Sequence, residues 1–296
     1  MKRIYLLAFS LFSLAIVAQE QIKPELLEKM TFRNIGPGGM SGRIASIDVD
    51  PQNDNRIFAG ASAGGLWLSE NGGISWKCVF NNEKAAGIGV VKVDPSNSSI
   101  VWVGTGEGNP RNSVSSGYGI YKSFDGGQTW KSMGLENTRN IYKIAVDPTN
   151  SNVVYVGAIG TPWGDNENRG VYKTTDGGKT WKKILYVDAG TGAGDLVMDP
   201  KNPNKIIAAM WQHRREPWFF NSGGPSSGLY ITYDGGENWT KKTGKDGLPE
   251  GDLGRIGLAI SPSAPNVVYA LVENAAKNAL YKSTDGGAKW SRISDD

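Results

Sequence analysis

Apolar residues fall in short runs broken by turn residues, and several runs alternate with polar positions, as in IASIDVD at 44–50. No apolar pattern at helical spacing is sustained, so the runs predict strands. They recur in a fixed order. A first set ends at a proline: RIASIDVDP, GVVKVDP, IYKIAVDP, GDLVMDP and IGLAISP. Proline cannot donate to a ladder and holds the residue before it extended, so each run must leave its sheet there. A second set follows after a short turn: RIFAGAS, IVWVGTG, VVYVGAIG, KIIAAMW and VVYALVE. The third is GLWLS, GIYKS, GVYKT, GLYIT and ALYKS, and the fourth is SWKCVF, TWKSMG, TWKKILY, NWTKKT and KWSRIS. Both are rich in the β-branched and aromatic residues that strands prefer.

Between the third and fourth strands the chain repeats itself: SENGGISW (69–76), SFDGGQTW (123–130), TTDGGKTW (174–181), TYDGGENW (232–239) and STDGGAKW (283–290). The tryptophans Trp76, Trp130, Trp181, Trp239 and Trp290 are spaced by 54, 51, 58 and 51 residues. Four short strands per unit of about 50 residues predict an all-β fold, a β-propeller of four-stranded antiparallel blades. The expected blades are about 41–80, 87–135, 139–187, 192–243 and 254–296, within a propeller of residues 31–296.

The repeated acidic residue is expected to be scaffold. Asp125, Asp176, Asp234 and Asp285 can accept backbone N–H bonds in their own turn, and the following glycines supply the positive φ of a tight hairpin. The first copy has Asn71, which can make the same turn but cannot replace a catalytic carboxylate.

The spacing S/T-x-D-x-G-x-x-W resembles the Asp-box, or BNR repeat, of sialidases, sortilin-type sorting receptors, xyloglucan hydrolases and a photosystem assembly factor. The stretches FRNIGPGGMSGRI, GTGEGNPRNS, LVMDPKNPNKIIAAMWQHRREPW and LGRIGLAISPSAPNVVYALVE resemble large secreted bacterial proteins with a sortilin-type N-terminal propeller, often labelled glycosyl hydrolases. The resemblance implies structural Asp-boxes and a secreted module that binds a peptide or carbohydrate. The alternative it implies is a glycoside hydrolase of the sialidase or xyloglucan hydrolase type. The F/Y-R-I-P segment of sialidases is broken here, since Phe32-Arg33 continues as Asn34-Ile35. Xyloglucan hydrolases place an aspartate before a Gly-Gly in their first blade, where this chain has Ser62-Ala63-Gly64-Gly65.

Composition narrows the rest. The chain of 296 residues opens with MKRIYLLAFSLFSLAIVAQE, a basic then apolar stretch that reads as a signal peptide over 1–18, with a lead-in over 19–30. This places the mature protein outside the cytoplasm, secreted, periplasmic or at the cell surface. No other run is long enough to span a membrane. Removing 1–18 takes the net charge from +3 to about +1, which leaves no basic field for nucleic acid. Cys78 is the only cysteine and His213 the only histidine, so no internal disulfide, multi-histidine metal site or cofactor is expected. FRNIGP at 32–37 aligns with WKSMGL at 130–135 and reads as an extra fourth-type strand. One strand beyond five complete blades suggests a part of a larger propeller, an open arc with free edges at blades one and five.

Propeller connections sort onto two faces. The uniform motif hairpins and proline turns share one. The opposite face carries the long loops 105–119, 160–170 and 211–228, where binding is expected. Its candidate ligand-binding residues are Glu107, Arg111, Trp163, Asp165, Arg169, His213, Arg214, Arg215, Glu216 and Trp218. Aromatic rings and guanidinium groups suit a sugar, carboxylate or acidic peptide. The four arginines come from three consecutive blades, so they are expected to converge toward the propeller axis. A glycosidase would instead need two carboxylates roughly 5–10 Å apart on this face.

Overall fold

The computed structural model describes residues 43–276 and 278–294. The signal peptide, the lead-in and the extra strand expected at 32–37 lie outside them. Blade one is β1 (Ile44–Asp50), β2 (Asn53–Ala61), β3 (Gly65–Ser69) and β4 (Lys77–Cys78). Blade two is β5 (Ile88–Val93), β6 (Val101–Thr105), β7 (Ile120–Ser123) and β8 (Lys131–Ser132). Blade three is β9 (Ile141–Val146), β10 (Val154–Ala158), β11 (Gly170–Thr174) and β12 (Lys182–Leu185). Blade four is β13 (Thr191–Asp199), β14 (Asn202–Glu216), β16 (Gly228–Thr232) and β17 (Thr240–Lys242), with β15 (Phe219–Ser222) added on β14. Blade five is β18 (Leu253–Ile260), β19 (Val268–Asn274), β20 (Ala279–Ser283) and β21 (Ser291–Ser294). Each blade is an antiparallel meander in sequence order, and the fold is all-β with five four-stranded sheets, as the pattern predicts.

The core lies between blades rather than inside one. Four apolar clusters each join consecutive sheets. The two-residue period of a strand does the sorting. On β14, Ile206, Ala208 and Met210 face blade three, while Ile207 and Ala209 face blade five. Both faces of the second strands β6, β10 and β14 are therefore buried, which is why these segments read as continuous apolar runs. The first strands of successive blades pack together, β1 on β5, β5 on β9, β9 on β13 and β13 on β18. Among the described residues no comparable packing joins β18 to β1.

The proline turns have a local cause. Asp50, Asp94, Asp147 and Asp199 each accept an N–H two residues on, at 2.8–2.9 Å, so the aspartate caps the turn that the following residue forces. The motif hairpins rest on these turns. The first glycine of each motif donates to the turn of its own blade: Gly72 to Asn55, Gly126 to Ser99, Gly177 to Asn152, Gly235 to Asn204 and Gly286 to Asn266. Both glycines of every copy have positive φ.

One connection departs from expectation. The segment 211–228 reads as an irregular loop, but β14 runs on to Glu216 and turns back as β15, pairing His213 with Ser222, Arg214 with Asn221 and Arg215 with Phe220. The extension is a rigid arm, because Trp211 stacks on His213 at 4.4 Å and meets Phe220 edge-on at 5.9 Å.

Candidate functional site

The motif hairpins are consumed by their own turns. Asp176 Oδ1 accepts from the Thr174 hydroxyl at 2.7 Å and from the N–H groups of Lys179 and Thr180 at 2.9 and 3.0 Å. Asp176 Oδ2 accepts from the Thr180 hydroxyl at 2.6 Å. These bonds, led by the Thr180 hydroxyl, hold its carboxyl well below the usual range. At Asp125 burial opposes, but bonds from Thr129, Ser123 and Gln128 outweigh it and set a pKa of about 2. Asn71 accepts from Ser69 and from Ser75 N–H, and its amide donates to the Ser75 hydroxyl at 2.9 Å. Two of the motif tryptophans tie blades together through their ring N–H, while those of Trp76 and Trp290 bond within their own hairpins. Trp130 Nε1 donates to Val79 O of blade one, and Trp181 Nε1 to Met133 O of blade two, both at 2.7 Å.

On the opposite face the sequence candidates separate into three groups. Glu107 is buried and held bidentately by Arg43 at 2.5 and 2.6 Å, joining blade one to blade two. Arg169 is fully buried. It donates to Gly190 O at 2.5 Å, Thr161 O at 2.6 Å and Gly164 O at 3.0 Å, and Nη1 lies 3.3 Å from His213 Nδ1. Desolvation brings its pKa down to about 10. His213 is also buried, and desolvation together with the nearby Arg169 brings its pKa down to about 3, so it is neutral at ordinary pH.

A second group is half-buried and paired. Arg214 Nε donates to Glu216 at 3.0 Å, and its Nη1 is 3.9 Å from the exposed Asp165 carboxylate. Arg215 donates to Asn112 Oδ1 at 2.8 Å, lies over the Phe220 ring and bonds through its N–H to Pro162 O. That links the arm to the loops of blades two and three. The third group is exposed: Arg111, Trp163 at 37% and Trp218 at 80%, the last at the tip of the arm.

The four arginines therefore do not form one cationic pole. Arg169 is a buried strut, Arg214 is neutralised by acids, and Arg215 is bound to Asn112. A cleft of about 450 Å³ opens beside them, lined by Asp165, Gln212, His213, Arg214, Phe220 and Asn221 among others.

Sequence reasoning missed Arg255. Its guanidinium sits 5.1 Å from the centroids of both Tyr142 and Trp211, and Nη1 donates to Asn109 Oδ1 at 2.9 Å. One side chain thus touches blades two, three, four and five. Nothing in the local sequence marks it, because all its partners come from other blades.

A Sortilin-Vps10 family model (sortilin, neurotensin receptor 3) matches residues 118–246. The resemblance to a sortilin-type propeller holds. The xyloglucanase of Hypocrea jecorina is 26% identical over 249 residues, covering 73% of this chain and 28% of that protein. A Paenibacillus xyloglucanase is 27% identical over 273 residues, covering 91% of this chain and 22% of its own. The chain spans about a quarter of the length of these curated relatives. Among solved structures, the Niastella koreensis GH74 enzyme superposes with a TM-score of 0.62 at 23% identity, over 84% of this chain and 38% of that one. An ancestral GH74 enzyme gives 0.63 at 24%, over 86% and 33%. At such identities the structural likeness is one of fold, and the fold is a β-propeller.

Proposed function

We propose that this propeller is a secreted binding module that takes an extracellular carbohydrate or peptide on its loop face. The supporting observation is the division of labour between the faces. Every motif aspartate accepts hydrogen bonds within its own hairpin, whereas the opposite face carries a polar cleft and the exposed rings of Trp163 and Trp218. Aromatic rings beside amides and guanidinium groups suit ligands with both apolar faces and polar edges.

A glycoside hydrolase is the second reading, favoured by the xyloglucanases among the relatives. It needs a proton-donating carboxylic acid with a raised pKa near a second carboxylate. The cleft is lined by one carboxylate, the exposed Asp165, and the nearby Glu216 is bound to Arg214, which suits binding better than proton donation.

A glycan and peptide array probed with the secreted full-length protein, followed by turnover assays on each hit, tests the proposal. Saturable binding without product supports the binding module. Release of new reducing ends from xyloglucan would replace it with the hydrolase.

A further inference from the structure

Arg169 and His213 together define what the cleft can bind. The four terminal N–H bonds of the buried Arg169 guanidinium have four acceptors: Gly190 O and His213 Nδ1 for Nη1, and Thr161 O and Gly164 O for Nη2. A guanidinium has no acceptor and stays charged. Its contact with Nδ1 is therefore satisfied only if Nδ1 carries a lone pair. The competing partner of Nδ1 is Trp211 O, also at 3.3 Å. A proton on Nδ1 would serve that neutral carbonyl but set N–H against N–H at a buried cation. Losing a charge-assisted bond costs more than losing a neutral one.

We propose that Arg169 locks His213 in the Nε2–H tautomer, so that the cleft presents a fixed neutral donor to the oxygen of a polyhydroxylated, carbohydrate ligand. His213 lines the cleft, and its Nε2 has no hydrogen-bond partner among the described residues. The stack on Trp211 at 19° between planes fixes the ring, so the donor has one direction. Its surroundings select neutral hydroxyl-bearing groups over a free anion. Arg214 in the cleft is already answered by Glu216 and Asp165, while Gln212 and Asn221 supply amide groups that both donate and accept. Sugar hydroxyls both donate and accept, which matches this mixture. This inference rests on the loop face being the binding face and names the ligand class for it.

His213 is the only histidine among these 296 residues, and the ring-nitrogen signals that disappear in His213→Gln are its own. Long-range ¹H–¹⁵N correlation on ¹⁵N-labelled full-length protein reads the tautomer directly, before any ligand is added. The expected pattern is a protonated Nε2 and an unprotonated Nδ1. A protonated Nδ1 overturns the proposal, whatever the protein binds.

Millimolar xyloglucan oligosaccharides, and any other glycan selected on the array, are then added. A shift of the Nε2 resonance with Nδ1 nearly unmoved supports the assignment. Saturable glycan binding that leaves Nε2 unmoved overturns the cleft as the site while the binding-module reading survives. Binding of peptides alone overturns the ligand class. His213→Phe, which keeps the stack and removes the donor, is expected to weaken glycan affinity about fivefold, the value of one neutral hydrogen bond. His213→Gln, which restores an N–H, is expected to recover part of it.

Discussion

Lys173 on blade three reaches the carbonyl of Gly235 in the motif hairpin of blade four, Nζ to O at 2.8 Å. The contact is one of a series. Arg56 of blade one donates to Gly126 O of blade two, and Lys122 of blade two to Gly177 O of blade three. Each motif hairpin from blade two to blade four is thus held from below by the proline turn of its own blade and from the side by a cation of the preceding blade. The repeated motif is a joint between blades as well as a turn within one.

Lys173→Met is expected to destabilise the protein by about 1 kcal/mol, the net worth of a partly buried hydrogen bond. Lys182→Met removes an ion pair with Glu237 in which both partners are more than half exposed, and is expected to change stability by less than about 0.5 kcal/mol. Urea midpoints of the two variants check the contrast.

Asp176→Asn is expected to keep the melting temperature close to that of the parent, because Asn71 already makes the same turn with its amide turned to Ser75. Asp176→Ala leaves the N–H groups of Lys179 and Thr180 without their acceptor and is expected to lower it. Differential scanning calorimetry separates the two. Equal losses would show that the carboxylate charge, not the turn bonding, matters.

His213 gives stability an acid edge. The folded imidazole titrates near 3 and the unfolded one near 6.5, with burial and the Arg169 and Arg255 cations responsible for the difference. The unfolded state therefore binds the proton first. Stability is fully present above about pH 6.5 and falls as the pH is lowered toward 3. At pH 5 the expected loss is about 2 kcal/mol. Urea unfolding of the parent and of His213→Gln at pH 7.5 and 5 tests this, since the variant should lose less across the same interval.

Trp218 is 80% exposed at the tip of the arm, so Trp218→Ala is expected to leave the melting temperature unchanged. It is expected to weaken binding of the array-selected ligand about tenfold, as loss of an aromatic anchor does. Unchanged affinity would move the binding surface away from the arm.

Blade order, the motif turns and the proline turns were legible in the sequence because their causes are local. Asp199 caps its own turn, and Gly177 and Gly178 set their own φ. The β14–β15 arm was not legible. Its strands lack a β-branched pattern, and Pro217 with the Ser222–Ser227 cluster reads as loop. Its order comes from Trp211 stacking on His213 and from Arg215 binding Asn112, 103 residues away. The same distance hid the roles of Glu107, claimed by Arg43, and of Arg255, whose partners span three other blades. Single charged residues carry no period, so their pairing appears only once the blades are assembled.

The central claim is that one face is scaffold and the other binds. Hydrogen–deuterium exchange on the full-length protein, with and without the tightest ligand from the array, tests it most directly. Protection is expected in 105–119, 160–170 and 211–228, with exchange in the motif hairpins unchanged. Protection centred on the hairpins at 123–130, 174–181 and 232–239, with the three loops unaffected, would contradict it.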